Sequence, residues 1–227
     1  MARWRALLVL GLAVGAAGAA AAQPSTTLVA STASHVWLDG TTNVNRWRCA
    51  GDSLRVEAVV TAAPEELARL LSRWESLPSG SRLETPADPA AALGATLDLR
   101  IPITALDCAN RLMERDMRKA LRAESHPEIR YRFRRLREAR FTPAGAVPAF
   151  TLVVDGDLEL AGRSAPVAMT VSATRKGERI RLRAGMQVRM TDFGVEPPVA
   201  LLGLIRARDA LWVSLDLELA APRAAVP

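Results

Sequence analysis

From Thr27 onward, apolar and polar residues alternate with a period of two, the pattern of strands with one face turned inward. Thr27 to Leu38 is expected as a first strand, Asp39-Gly40 as a hairpin turn, and Thr41 to Cys49 as the returning strand. Ser53 to Thr61 follows, with Leu54, Val56, Ala58 and Val60 on one side. Gly94 to Ile103 alternates in the same way. After it come Glu128 to Arg137, Pro148 to Leu160, Ala165 to Arg175, Arg179 to Met190 and Ala210 to Ala220. Turns are expected at 161–164 and at Lys176-Gly177, and 194–204 is irregular around Pro197-Pro198.

Two stretches break the rhythm. Pro64 opens a short helical insertion near 64–77, with Leu67, Leu70 and Leu71 on one face, and a Pro-, Ser- and Gly-rich loop carries the insertion to residue 92. The second is an amphipathic helix over 104–123, capped by Thr104 and ended by Pro127. Its Met113 and Met117 share a face. They read either as a lid that touches a flexible lipid chain or as core that seals the floor of the fold.

About eight to ten strands joined by short connections pair antiparallel. Closure into a barrel removes the exposed edges that invite aggregation, so a barrel is the first expectation and a sandwich the second. An eight-stranded barrel is either filled or holds one small ligand.

Composition then bears on compartment and partners. Arg3 and Arg5 precede an uncharged run from Leu7 to Ala22 that closes on Ala20-Ala21-Ala22, the form of a cleaved signal peptide over 1–22. The folded domain is expected over 23–220, with 221–227 as a flexible tail. Export makes a Cys49–Cys108 disulfide the expected state of the two cysteines. The formal charge of +6 comes mostly from arginine and favours an anionic membrane or glycan surface as a peripheral contact. No nucleic-acid recognition motif is present, and aromatic residues are few.

The sequence offers no catalytic set and no metal site. His35 and His126 have no ligand at metal spacing, and there is no phosphate-binding or dinucleotide glycine pattern. Gly162-Arg163-Ser164 lacks the final glycine of a nucleophile elbow and reads as a turn. In Asp155-Gly156-Asp157, the mid-strand glycine is the mark of a bulge or a close approach, not of a calcium loop. A non-enzymatic protein without a cofactor is expected.

Four segments together resemble the YceI-like family of periplasmic proteins: Trp37 to Cys49, Ile101 to Phe133 with His126-Pro127-Glu128-Ile129, Asp155 to Val171, and Asp192-Phe193-Gly194. The resemblance implies a lipocalin-like antiparallel barrel with an elongated apolar cavity in the periplasm. It implies a polyisoprenoid or other long amphiphilic lipid as the bound molecule, with roles in envelope stress or in lipid and quinone handling. The chain departs from the family pattern in its 64–92 insertion and at Ala120-Leu121-Arg122, where aromatic residues are frequent.

The leading expectation is a lipid-binding barrel whose ligand's polar head sits at the mouth beside Arg or Lys. Alternation alone nominates Tyr131, Phe133, Leu152, Val154, Leu158, Val171, Met186, Val188 and Val213 as walls, with Met113 and Met117 on the helix. The rivals are a filled barrel acting as an envelope scaffold or protein-interaction module, and an enzyme acting on lipids or isoprenoid quinones.

Overall fold

The computed structural model describes residues 25–61, 82–83, 94–144, 147–176 and 179–220. The expected signal peptide, the helix of the insertion and the C-terminal tail lie outside the described residues.

Antiparallel strands run up and down around a closed ring. The first length of chain is split into β1 (Thr26–Ala30) and β2 (His35–Thr41), and the second into β3 (Arg46–Gly51) and β4 (Arg55–Val60). A two-residue strand, β5 (Arg82–Leu83), follows from the loop part of the insertion and pairs with Arg140 and Ala139. Then come β6 (Thr96–Pro102), helix α1 (Arg111–Ala120), β7 (Glu128–Ala144), β8 (Val147–Leu160), β9 (Arg163–Lys176) and β10 (Arg179–Arg189). Short β11 (Val199–Ala200) and β12 (Ile205–Arg206) form a small ribbon before the last strand, β13 (Ala210–Ala220).

Closure comes from β13, which sets Trp212 opposite Asp39 of β2 and Leu219 opposite Ala30 of β1. With β1–β2 and β3–β4 each counted as one interrupted strand, the ring has eight members. It has no free edge of the kind that promotes aggregation.

The alternation fails within Arg134-Arg135-Leu136-Arg137, yet β7 continues to Ala144, beyond the expected end at Arg137. Two irregularities in its pairing with β8, between Phe133 and Arg135 and between Leu136 and Glu138, each add a residue. These bulges return Leu136, Ala139 and Phe141 to the inner face and increase the local twist that closure requires.

Two other expectations are corrected. Asp39-Gly40 lies inside β2, and the turn is at Thr42–Asn45, where the Thr42 Oγ1 accepts from the Val44 and Asn45 amides. Gly40 serves a close approach instead: a Cβ there would lie 2.1 Å from the Trp47 ring on the paired strand.

The helix is shorter than 104–123, and its cap is Asn110, whose Oδ1 accepts from Leu112 N and Met113 N. Residues 103–110 are held off the helix by the wall. Ile103–Ala105 form a 3-10 turn, Asp107 bridges Ala50, and Cys108 is bonded to Cys49 as expected from sequence.

The outer face is charged and cross-linked between strands. Asp98 accepts from Arg100 and Arg130, Asp155 faces Arg135 and Arg137, and Asp216 takes Arg181 and Arg183. Burial works to raise the Asp98 carboxyl, but hydrogen bonds from Arg130 and Arg100 win and hold it below the ordinary range. At Asp216 the Arg181 hydrogen bond prevails over burial in the same direction. These ion pairs occupy positions where a membrane-spanning barrel would present an apolar band. Among the described residues no helix is long and apolar enough to cross a bilayer.

Candidate functional site

One half of the barrel is filled and the other is hollow. The filled half is the part of the buried core that does not line the cavity; it holds Val36, Val56, Val154, Val171 and Leu217, and Phe133 and Leu152 pack against the core. The hollow half is a cavity of 420 Å³ at the end that carries α1, a size usual for small-molecule sites.

Three layers of residues build it. Strands β2, β6, β7, β8, β10 and β13 supply Leu38, Leu99, Ile101, Tyr131, Leu158, Val188 and Val213 as walls. Helix α1 lies across the end and lowers Met113, Met117 and Ala120 onto the cavity while its arginines face outward. No residue of the helix is fully buried; Met113, Met117 and Ala120 pack against the edge of the core and also line the cavity, so the apolar face roofs that space. The chain between β10 and β13 completes the rim with Val195, Pro198, Val199, Ile205 and Ala207.

That rim segment is stapled by Asp209. Its carboxylate accepts from Thr191 N and Thr191 Oγ1, each at 2.9 Å, and from Arg189 Nε at 3.0 Å. The Thr191 amide bond, with help from Arg189, holds the Asp209 carboxyl below its usual range.

Every methionine after Met1 faces this space: Met113, Met117, Met169, Met186 and Met190. Unbranched thioethers fill irregular volumes and adapt to a neighbour that changes shape. Polar groups are confined to two places. Thr42, Asn45, Asn110 and Asp116 stand at the outer rim. The Tyr131 hydroxyl lies inside, buried and without a hydrogen-bonding partner among the described protein groups. Burial, then the charges of Asp155 and Asp157, push its pKa upward, so it remains a neutral donor.

Five of the side chains nominated from alternation meet at the cavity, Tyr131, Leu158, Met186, Val188 and Val213, together with Met113 and Met117, nominated from the helix face. Phe133, Leu152, Val154 and Val171 do not line it; they belong to the filled half. Alternation assigns a face but not a height along the barrel axis, which accounts for the difference. The same rule would have admitted Met169, Leu160 and Ile129, whereas the rim residues of 195–207 follow no period. Among the described residues no three of His, Cys, Asp and Glu gather as metal ligands.

A closed up-and-down barrel with an apolar chamber beneath a helix is a lipocalin-like barrel. The chain belongs to the YceI-like family, whose domain matches residues 78–219. Two solved structures share the fold. A polyisoprenoid binding domain from Saccharophagus degradans, implicated in plant cell wall breakdown, has 11% identity and a TM-score of 0.58, covering 87% of this chain and 99% of its own. BcnA from Burkholderia cenocepacia has 13% identity and a TM-score of 0.54, covering 83% of this chain and 98% of its own. No curated protein matches the sequence.

Proposed function

We propose that the protein is a non-catalytic carrier of a long-chain amphiphile, of polyisoprenoid type, acting in the periplasm after removal of residues 1–22. The observation that carries this reading is the lining of the cavity: five methionines and branched aliphatic residues, with polar groups only at the rim and at one interior hydroxyl. A flexible hydrocarbon chain gains burial there at roughly 25 cal/mol per Å² and finds walls that yield to its bends. The polyisoprenoid-binding domain of the same fold supports the choice of ligand class. The Asn45, Asn110 and Asp116 side chains offer hydrogen bonds to a head group at the rim.

Protein purified without detergent is expected to carry an extractable lipid visible by native mass spectrometry, or to take up a polyprenol offered from micelles. An empty protein that takes up neither a polyprenol nor a fatty acid would overturn the reading.

A further inference from the structure

The end of the barrel that carries the mouth is also where apolar side chains stand in solvent. Among the described residues seven large apolar side chains are exposed, and five of them are here: Val44, Leu112, Val199, Leu202 and Leu204. Val44 is 64% exposed, Val199 61%, Leu204 74%, and the Leu202 side chain lies wholly in solvent.

Val44, Leu202 and Leu204 belong to one tip because two chain connections are tied together. Asn43 Nδ2 donates to the Leu204 carbonyl at 2.8 Å, Asn43 Oδ1 accepts from Arg206 N at 2.8 Å, and Arg208 N donates to the Thr41 carbonyl at 2.8 Å. Leu202 has φ 53° and ψ 34°, the left-handed region that disfavours a branched side chain. A leucine strained in this way and wholly exposed contributes nothing to the fold that holds it, which points to a use outside the fold.

Charge selects the occupant. The segments 41–46 and 199–208 contain the exposed Arg46, Arg206 and Arg208 and no carboxylate. Asp209, next in the chain, is engaged by Arg189 and Thr191, and the carboxylate at the cavity rim, Asp116 of α1, stands beside Arg115. The tip sets exposed apolar side chains and exposed arginines on the same two connections, and it adjoins the cavity mouth, where Leu112 and Val199 are both exposed and part of the lining. Exposed apolar side chains accompanied by arginines fit the headgroup–acyl boundary of an anionic bilayer.

We infer that this collar is a membrane-docking surface: Leu202, Leu204 and Val44 enter the bilayer interface, Arg46, Arg206 and Arg208 meet lipid phosphates, and the cavity mouth opens onto the lipid phase. The purpose of the contact rests on the carrier reading, whereas its geometry does not.

The test is flotation of the whole protein with phosphatidylcholine vesicles, with and without phosphatidylglycerol. The wild type is expected to float with the anionic vesicles and to be released by salt. Leu202→Asn with Leu204→Ser should reduce flotation at least about tenfold while uptake of a polyprenol from micelles is retained. Should the double variant fold poorly, Leu202→Asn alone keeps a residue suited to the left-handed backbone and is expected to give most of the loss. Replacement of Arg46, Arg206 and Arg208 by Gln should remove the preference for phosphatidylglycerol, about fivefold per arginine. A wild type that loads polyprenol but floats with neither vesicle sinks the collar and leaves the carrier standing. Flotation without any loading does the reverse. A dimer in solution that the leucine variants dissolve, with no flotation, assigns the collar to self-association and overturns the inference.

Discussion

The Tyr131 ring lies directly over the Cα of Gly156, two residue pairs further along the β7–β8 ladder. A Cβ at Gly156 would stand 2.4 Å from the ring carbons and from the hydroxyl oxygen. The mid-strand glycine between two aspartates therefore serves a close approach, and it lets the tyrosine lie flat at the inner end of the chamber.

Gly156→Ala is accordingly expected to destabilise the protein by about 1–3 kcal/mol through overpacking, seen as a lower urea midpoint with an unchanged slope. The cost should shrink when Tyr131 is cut to Val, because the two residues share one contact. Tyr131→Phe is expected to leave the ligand-free protein as stable or up to about 1 kcal/mol more so, since it removes a buried hydroxyl with no protein partner. An unligated protein that loses stability on this change would place a bond on that hydroxyl.

The disulfide links the wall strand β3 to the chain that precedes α1, across a sequence separation of 59 residues. Chain entropy alone gives about 4 kcal/mol for a closed loop of that length. Cys49→Ala with Cys108→Ala should lower the melting temperature substantially. Hydrogen exchange should report most of the loosening in residues 103–127, because Cys108 and the Asp107–Ala50 bridge hold that segment to the wall. Equal loosening throughout the barrel would show that the bridge acts only on the unfolded chain.

The acid limb follows from three carboxylates. Asp98, Asp209 and Asp216 all titrate below their usual values in the folded protein. A depressed carboxylate contributes stability that is fully present above its unfolded pKa, near 3.9, and is lost as the pH falls through its folded value. Stability should thus be level from about pH 5 to 8 and decline below about pH 4. Asp209→Asn keeps the shape but weakens the staple to Thr191 and Arg189. It should speed amide exchange in 190–208 at neutral pH while leaving exchange in β7–β9 unchanged.

How far the sequence could be read depends on what each signal measures. Period-two alternation records which face of a strand is wet, and it located the main strands of the ring. It could not foresee the two bulges of β7, because Arg134 to Arg137 break the period just where the added residues restore it. Asp39-Gly40 has the composition of a turn but is used for the Trp47 approach, a tertiary demand that local preference does not contain. The early helix start failed for a similar reason: Thr104 is a good cap by type, but the Cys108 link and the Asp107 bridge hold residues 103–110 against the barrel. For the cavity, the inward-facing set was legible, whereas the boundary between filled and hollow halves was not. Val154 and Leu158 sit on the same strand face, and only the packing across the barrel separates them.

That boundary can be moved on purpose. Val213 of β13 lies between Leu38 of β2 and Met186 of β10, its direct partners on the neighbouring strands, and all three face the cavity at one height. Val213→Trp would place an indole across the chamber at this level. The space it enters is open, so the barrel need not expand, and filling a void commonly stabilises by about 0.5–2 kcal/mol. The expected result is an equal or higher melting temperature together with a loss of polyprenol uptake of tenfold or more, measured by native mass spectrometry on protein loaded from micelles. Val213→Ala enlarges the chamber and should lower stability by about 1–2 kcal/mol while retaining uptake. A Trp variant that folds and still loads at the wild-type level would mean that the bound chain lies elsewhere on the protein, since no other reading leaves an obstructed chamber with undiminished capacity.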